Sequence, residues 1–166
     1  MPRRRRSHRV SVYRPLKTAK YSNETFVFTQ GFQYAQNSQV LVVVSSATPV
    51  LGTRKAKNFT VNFLTDSTIP ILFALIYVPE GTQPNLITWG SDITGGAVQA
   101  NAMYNPNQNV ILSGISAGFN QGTVRLKTRL ARNLNSGDYL LLAIRPMAEF
   151  TGTVLFVGSV NYAISY

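Results

Sequence analysis

Residues 57–78 read KNFTVNFLTDSTIPILFALIYV. In the first part, Phe59, Val61 and Phe63 alternate with Asn58, Thr60 and Asn62. A period of two sends the large apolar side chains to one face and the amides and hydroxyl to the other, the pattern of a strand half covered by a core. The second part, Ile71–Val78, is apolar throughout and bounded by Pro70 and Pro79. Such a run suits either a buried helix or a strand covered on both faces. Its shortness and its flanking prolines favour the strand.

On either side lie six more strand-like segments: Glu24–Tyr34, Val40–Ser45, Asn109–Ile115, Gly122–Ala131, Tyr139–Arg145 and Thr153–Ser165. Val, Ile, Leu, Thr, Phe and Tyr dominate between clusters of Gly, Pro, Asn and Ser, which is an all-β composition. Gln36-Asn37-Ser38 and Asn135-Ser136-Gly137-Asp138 carry turn chemistry. The stretch Pro79–Asn107 contains the only tryptophan, Trp89, and seven Gly or Pro residues; a short helix is expected near Val98–Met103. A connection of that length in a compact domain is normally functional or part of an interface.

Eight antiparallel strands without regular helices fit a jelly roll, an immunoglobulin-like sandwich or a barrel. The connections after the first, third, fifth and seventh strands are about 3 to 7 residues, whereas those after the second and fourth are roughly 11 and 30. In a jelly roll the four short loops gather at one end and taper it.

The chain has 166 residues, enough for one domain with a real core. It has no cysteine and one histidine, His8, which lies in an arginine run. Disulfides, thiol catalysis, histidine triads and multi-histidine metal sites are excluded. Asp66, Glu80, Asp92, Asp138 and Glu149 fall at loops or strand ends, with no spacing that favours a catalytic pair. No enzyme activity, cofactor or metal is expected. No apolar run is long enough to span a membrane. Asn23-Glu24-Thr25 and Asn58-Phe59-Thr60 match the glycosylation sequon, but no secretory signal precedes them, so both read as chance matches.

Of the net charge of +10, +8 comes from residues 1–20: Arg3, Arg4, Arg5, Arg6, Arg9, Arg14, Lys17 and Lys20, with no acid among them. Residues 21–166 hold the other 8 basic groups and all 6 acidic ones. The chain therefore divides into a cationic arm, 1–20, and a nearly neutral domain, 21–166. Arginine forks match phosphate oxygens, and binding releases condensed counterions. Tyr13 and Tyr21 add faces for unpaired bases. The arm reads as a single-stranded nucleic-acid contact that could double as a nuclear import signal; the plain alternative is a solubilising tail. In the sixth strand Arg125, Lys127 and Arg129 alternate with Val124, Leu126, Thr128 and Leu130, so three cations share one face. That face is either simply solvated or meets a polyanion. Arg54, Lys55 and Lys57 form a smaller cluster in the connection after the second strand.

The arm PRRRRSHR, the strand KNFTVNFLT, the segment GTVRLKTRLARNLNSGDYLLLAIRP and the terminal strand ending at Tyr166 together resemble the capsid proteins of small circular single-stranded DNA viruses, the circovirus and nanovirus group. The resemblance covers the layout of the entire chain. It implies a single eight-stranded antiparallel jelly roll of two four-stranded sheets and a T=1 shell of about sixty copies. It also implies arms directed at an enclosed single-stranded genome, DNA rather than RNA, and residence in the virion with passage through the host nucleus. The nucleic-acid contacts would be the eight arm cations with Arg125, Lys127 and Arg129. The loops Gln36–Ser38, Asp66–Ile69, Ser116–Gln121 and Met147–Gly152 would approach the fivefold axis. The other reading is a single-strand-binding β-barrel module that forms no shell. It needs base-stacking aromatics on an exposed face, whereas here the aromatics alternate in a core-like pattern.

Overall fold

In the computed structural model, residues 20–33, 40–45, 52–82, 109–117, 122–146 and 152–165 are described. Nine strands lie among them: β1 Ser22–Gln33, β2 Val40–Ser45, β3 Arg54–Thr65, β4 Ile71–Val78, β5 Val110–Ser116, β6 Val124–Lys127, β7 Ala131–Leu134, β8 Tyr139–Pro146 and β9 Thr153–Ser165. One sheet runs β1-β9-β3-β6, with β7 also paired to β3, and the other runs β2-β8-β4-β5. All pairings are antiparallel. With β6 and β7 counted as one interrupted strand, each sheet has four positions, and the order is that of a jelly roll built from two Greek keys. The expected fold is therefore the observed one.

The interruption has a local cause. Lys57 pairs with Ala163 and Thr60 with Asn161, so Asn58 and Phe59 together face the single residue Tyr162 of β9. Two residues opposite one is a β-bulge. Asn58 takes a positive φ of 58°, a conformation that asparagine tolerates better than most residues. On the other side of β3, Lys57 pairs with Ala131 and Thr60 with Lys127. Thr128–Leu130 must bow around the bulge, held by a 2.9 Å hydrogen bond from the Thr128 N–H to the Phe59 carbonyl. The continuous sixth strand expected over Gly122–Ala131 is thus split, and Leu130, expected on the apolar side, is exposed.

The bulge also resets the side-chain alternation so that Ala56, Phe59, Val61 and Phe63 all face inward and are fully buried. They meet Phe156, Val160 and Ile164 of β9 and, from the other sheet, Ile71, Phe73 and Leu75 of β4 and Leu140, Leu142 and Ile144 of β8. Phe63 is the hub. Its ring lies 5.0 Å from Phe73 across the sandwich and 5.6 Å from Phe156 beside it. Such pairs stabilise by about 0.5–1.5 kcal/mol beyond their area. Gly114 of β5 makes room for the core on the opposite wall, since a Cβ there would overlap Leu126 and press on Phe73. Ala74, Ile76, Leu141 and Ala143 are buried on the outer side of the second sheet. The reading of Ile71–Val78 as a strand covered on both faces holds.

Register fixes the two ends of the sandwich. Thr65, Ile71, Ser116, Pro146 and Thr153 all lie at one end. Of the four loops expected there, Asp66–Ile69 is described, and Asp66 accepts a 2.8 Å bond from the Leu155 N–H. Gln36–Ser38 and Pro84–Asn107, with the helix expected at Val98–Met103, lie outside the described residues, as does most of Ser116–Gln121 and Met147–Gly152. At the opposite end Asp138, in the expected Asn135–Asp138 turn, is buried. It accepts hydrogen bonds from Tyr77 Oη at 2.7 Å, the Glu80 N–H at 2.9 Å and the Asn135 N–H at 2.7 Å. Burial by itself would raise its pKa, but the bonds from Tyr77, Asn135 and Glu80 outweigh that and hold the carboxyl below its ordinary value. Burial, the bond to Asp138 and the charge on Asp138 push the Tyr77 phenol up to about 12, with Arg132 opposing.

Two outcomes are expected. Phe63→Ala removes the hub ring and lowers stability by about 3–5 kcal/mol in denaturant titration. Asp138→Asn keeps one acceptor oxygen but loses the charge, and costs about 1–3 kcal/mol at neutral pH. Because the folded pKa of Asp138 is depressed, its contribution is present above the unfolded carboxylate value of about 3.9 and is lost as pH falls below it. The wild-type melting temperature should fall in that window, and the gap between wild type and Asp138→Asn should narrow there.

Candidate nucleic-acid interface

Arg125 and Lys127 of β6 pair with Asn62 and Thr60 of β3. Residues directly opposite in an antiparallel ladder share a face. Val124 and Leu126 pack on the core, so Arg125 and Lys127 point outward, and both are exposed. Lys55 and Lys57 belong to the same outer face. Lys57 is flanked by Ala131 and Ala163, and Lys55 by Asn133 and Ser165. The ladder brings together two pairs of cations that are some seventy positions apart in the chain.

Along β1 and β9 this face carries Asn23, Thr25, Asn161 and Ser159 beside the apolar Val27, Leu155, Val157 and Ala163, and β3 adds Leu64. Thr25 Oγ1 donates to Asn161 Oδ1 at 2.7 Å, and Asn62 Nδ2 donates to Ser159 Oγ at 2.9 Å. None of the described strand residues sharing this face is acidic. Glu24 alternates to the opposite side, while Asp66, Glu80 and Asp138 lie at the ends of the sandwich. Four like charges with no carboxylate between them give a positive field that a polyanion would relieve.

Tyr21, just ahead of β1, is tied to this face: Lys57 Nζ sits 3.6 Å from its ring centroid. A cation over an aromatic ring at a partly exposed site stabilises by about 0.5–1 kcal/mol. The arm sequence therefore joins the body on the cationic side of the sheet. Of its basic residues only Lys20 is described, and it is exposed; Arg3, Arg4, Arg5, Arg6, Arg9, Arg14 and Lys17 lie outside the described residues.

The remaining basic residues separate. Arg129, expected in line with Arg125 and Lys127, falls in the Thr128–Leu130 bow, exposed but outside the ladder. Arg54, Lys55 and Lys57 are not a loop cluster but the first turns of the pleat in β3. Arg54 shares the inward face with Ala56 and its partner Leu134. It is only 6% exposed, and its Nε and Nη2 have no hydrogen-bond partner. Among the described residues no cluster of three His, Cys, Asp or Glu side chains could hold a metal, and no helix is long and apolar enough to cross a membrane.

No family model and no curated protein matches the sequence. Among solved structures, the chain is similar to one from Desmodium yellow mottle tymovirus, with a TM-score of 0.29, 10% identity and 95% of each chain covered. The fold stands on the strand order and the candidate interface on its cations, independently of that likeness.

Replacing Arg125 and Lys127 together by Gln should leave thermal stability nearly unchanged, since both side chains are exposed. Each phosphate contact to single-stranded nucleic acid contributes about 0.7 to the slope of log K against log salt. The double variant should flatten that slope by about 1.4 in fluorescence anisotropy titrations.

Proposed function

We propose that this chain is the shell subunit of a small icosahedral virus particle that encloses single-stranded nucleic acid. The observation that carries the reading is the union of two basic elements: an arm with +8 in twenty residues enters the body at Tyr21, beside Lys57 on the carboxylate-free sheet face. Arm cations and face cations would thus address the same polyanion. Short connections at the Thr65–Ile71 end, as the spacing in the sequence sets them, would taper the jelly roll into a wedge suited to closing around a symmetry axis. The nearly neutral body can pack edge to edge without strong self-repulsion.

On this reading about sixty copies form a T=1 shell. The arms face the genome, and the contacts are Arg3, Arg4, Arg5, Arg6, Arg9, Arg14, Lys17 and Lys20 with Arg125, Lys127 and the nearby Arg129. Sixty arms of eight charges present about 480 positive charges, enough to neutralise a comparable number of phosphates. Phosphate contacts do not distinguish DNA from RNA; DNA is preferred on the resemblance of the chain to single-stranded DNA virus capsids. The protein resides in the virion, and the arginine run can act as an import signal when the subunit reaches the host nucleus. It acts by assembly rather than by catalysis.

Size-exclusion chromatography with light scattering on nuclease-treated protein tests this. A round particle of about a megadalton, some sixty times the 18.3 kDa chain, with nucleic-acid absorbance is expected. Removal of residues 1–20 should abolish the nucleic-acid signal. A monomer or dimer that does not grow on addition of single-stranded DNA at low salt would sink the shell reading.

A further inference from the structure

The bulge in β3 does more than reset the core. It opens a depression of about 280 Å³ on the sheet, lined by Asn23 and Thr25 of β1, Asn58 of the bulge, and Asn161 and Ala163 of β9 among its walls. The ladder explains the hollow. Asn23 pairs with Ala163, and Ala163 with Lys57, so a methyl group lies between two larger side chains. Thr25 and Asn161 satisfy each other through their 2.7 Å bond. Asn23 and Asn58 are exposed, and their side-chain amides have no hydrogen-bond partner among the described residues.

A volume just under the roughly 300 Å³ of the smallest ligand pockets has room for one ring system. Two free amides offer a donor and an acceptor each, the complement of a base edge. Lys57, with Tyr21 beneath it, stands beside this hollow on the cationic face.

We propose that this depression receives one unpaired nucleobase of a strand whose phosphates follow Lys57, Lys127 and Arg125. The inference rests on the chain being a binder of single-stranded nucleic acid, and it adds to that reading a contact with the base itself. Salt-dependent phosphate attraction and salt-independent base capture then work side by side on one sheet face.

The test uses the full chain and two probes, a single-stranded DNA of about 16 nucleotides and an abasic strand of equal length. Two variants are compared with wild type: Asn58→Gly, which preserves the positive-φ backbone because glycine adopts it freely, and Asn23→Ala. Wild type should prefer the base-bearing strand. Each variant should lower that preference by about three- to tenfold, with binding of the abasic strand and the salt slope unchanged. A preference that survives both substitutions overturns the base pocket and leaves the nucleic-acid reading standing. Equal losses for both strands also overturn it, since they report a backbone or charge effect. Failure of wild type to bind either strand at low salt removes the functional reading itself.

Discussion

Phe63 meets Phe73 across the sandwich and Phe156 beside it, and the register of the described strands is tied to that contact. A slip of β3 by one residue would turn Phe63 outward and bring Asn62 into the core. The cost would be both the aromatic contacts and an unsatisfied buried amide. The same register that keeps Phe63 inside sets Asn62 against Arg125 and Thr60 against Lys127 on the outer face. Core packing thereby positions the cations, although none of them touches the hub.

How far the sequence could be read depended on the range of the interaction involved. The span of β4, bounded by Pro70 and Pro79, follows from local pattern alone. So does the Asn135–Asp138 turn, whose Asp138 side chain caps its own backbone. The inward face Phe59, Val61 and Phe63 was likewise plain from alternation. The bulge was not, because nothing in KNF distinguishes a continued pleat from an extra residue until β9 supplies the register. Asn58 is the one local hint, as a residue type that accepts positive φ. Since the bulge was hidden, so was the break between β6 and β7 that removes Arg129 from the ladder.

The candidate interface was legible in parts and not as a whole. Arg125 and Lys127 could be placed on one face by period two, but their meeting with Lys55 and Lys57 needs the pairing of β3 with β6 and β7. Extending the alternation back through Arg54, Lys55, Ala56 and Lys57 would have begun β3 three residues earlier and separated Arg54 from the two lysines. The inward burial of Arg54 could not be foreseen from composition, because a guanidinium without a partner is costly in a core and runs against ordinary preference.

A sandwich with open sheets has strand edges, and each is a template on which another chain can stack without limit. Three of the four edge positions here are irregular. The β2 register shifts between Val43 and Ser45, β5 shifts opposite Leu75 and Ile76, and the fourth position of the first sheet is cut into β6 and β7. Each interruption twists or breaks the row of backbone groups that a stacking strand would need. The bow at Thr128–Leu130, an accommodation to the bulge in β3, therefore also removes a stretch of edge on which fibres could grow. In the proposed shell, contacts between copies would then fall to side chains, whose geometry can close on itself and stop.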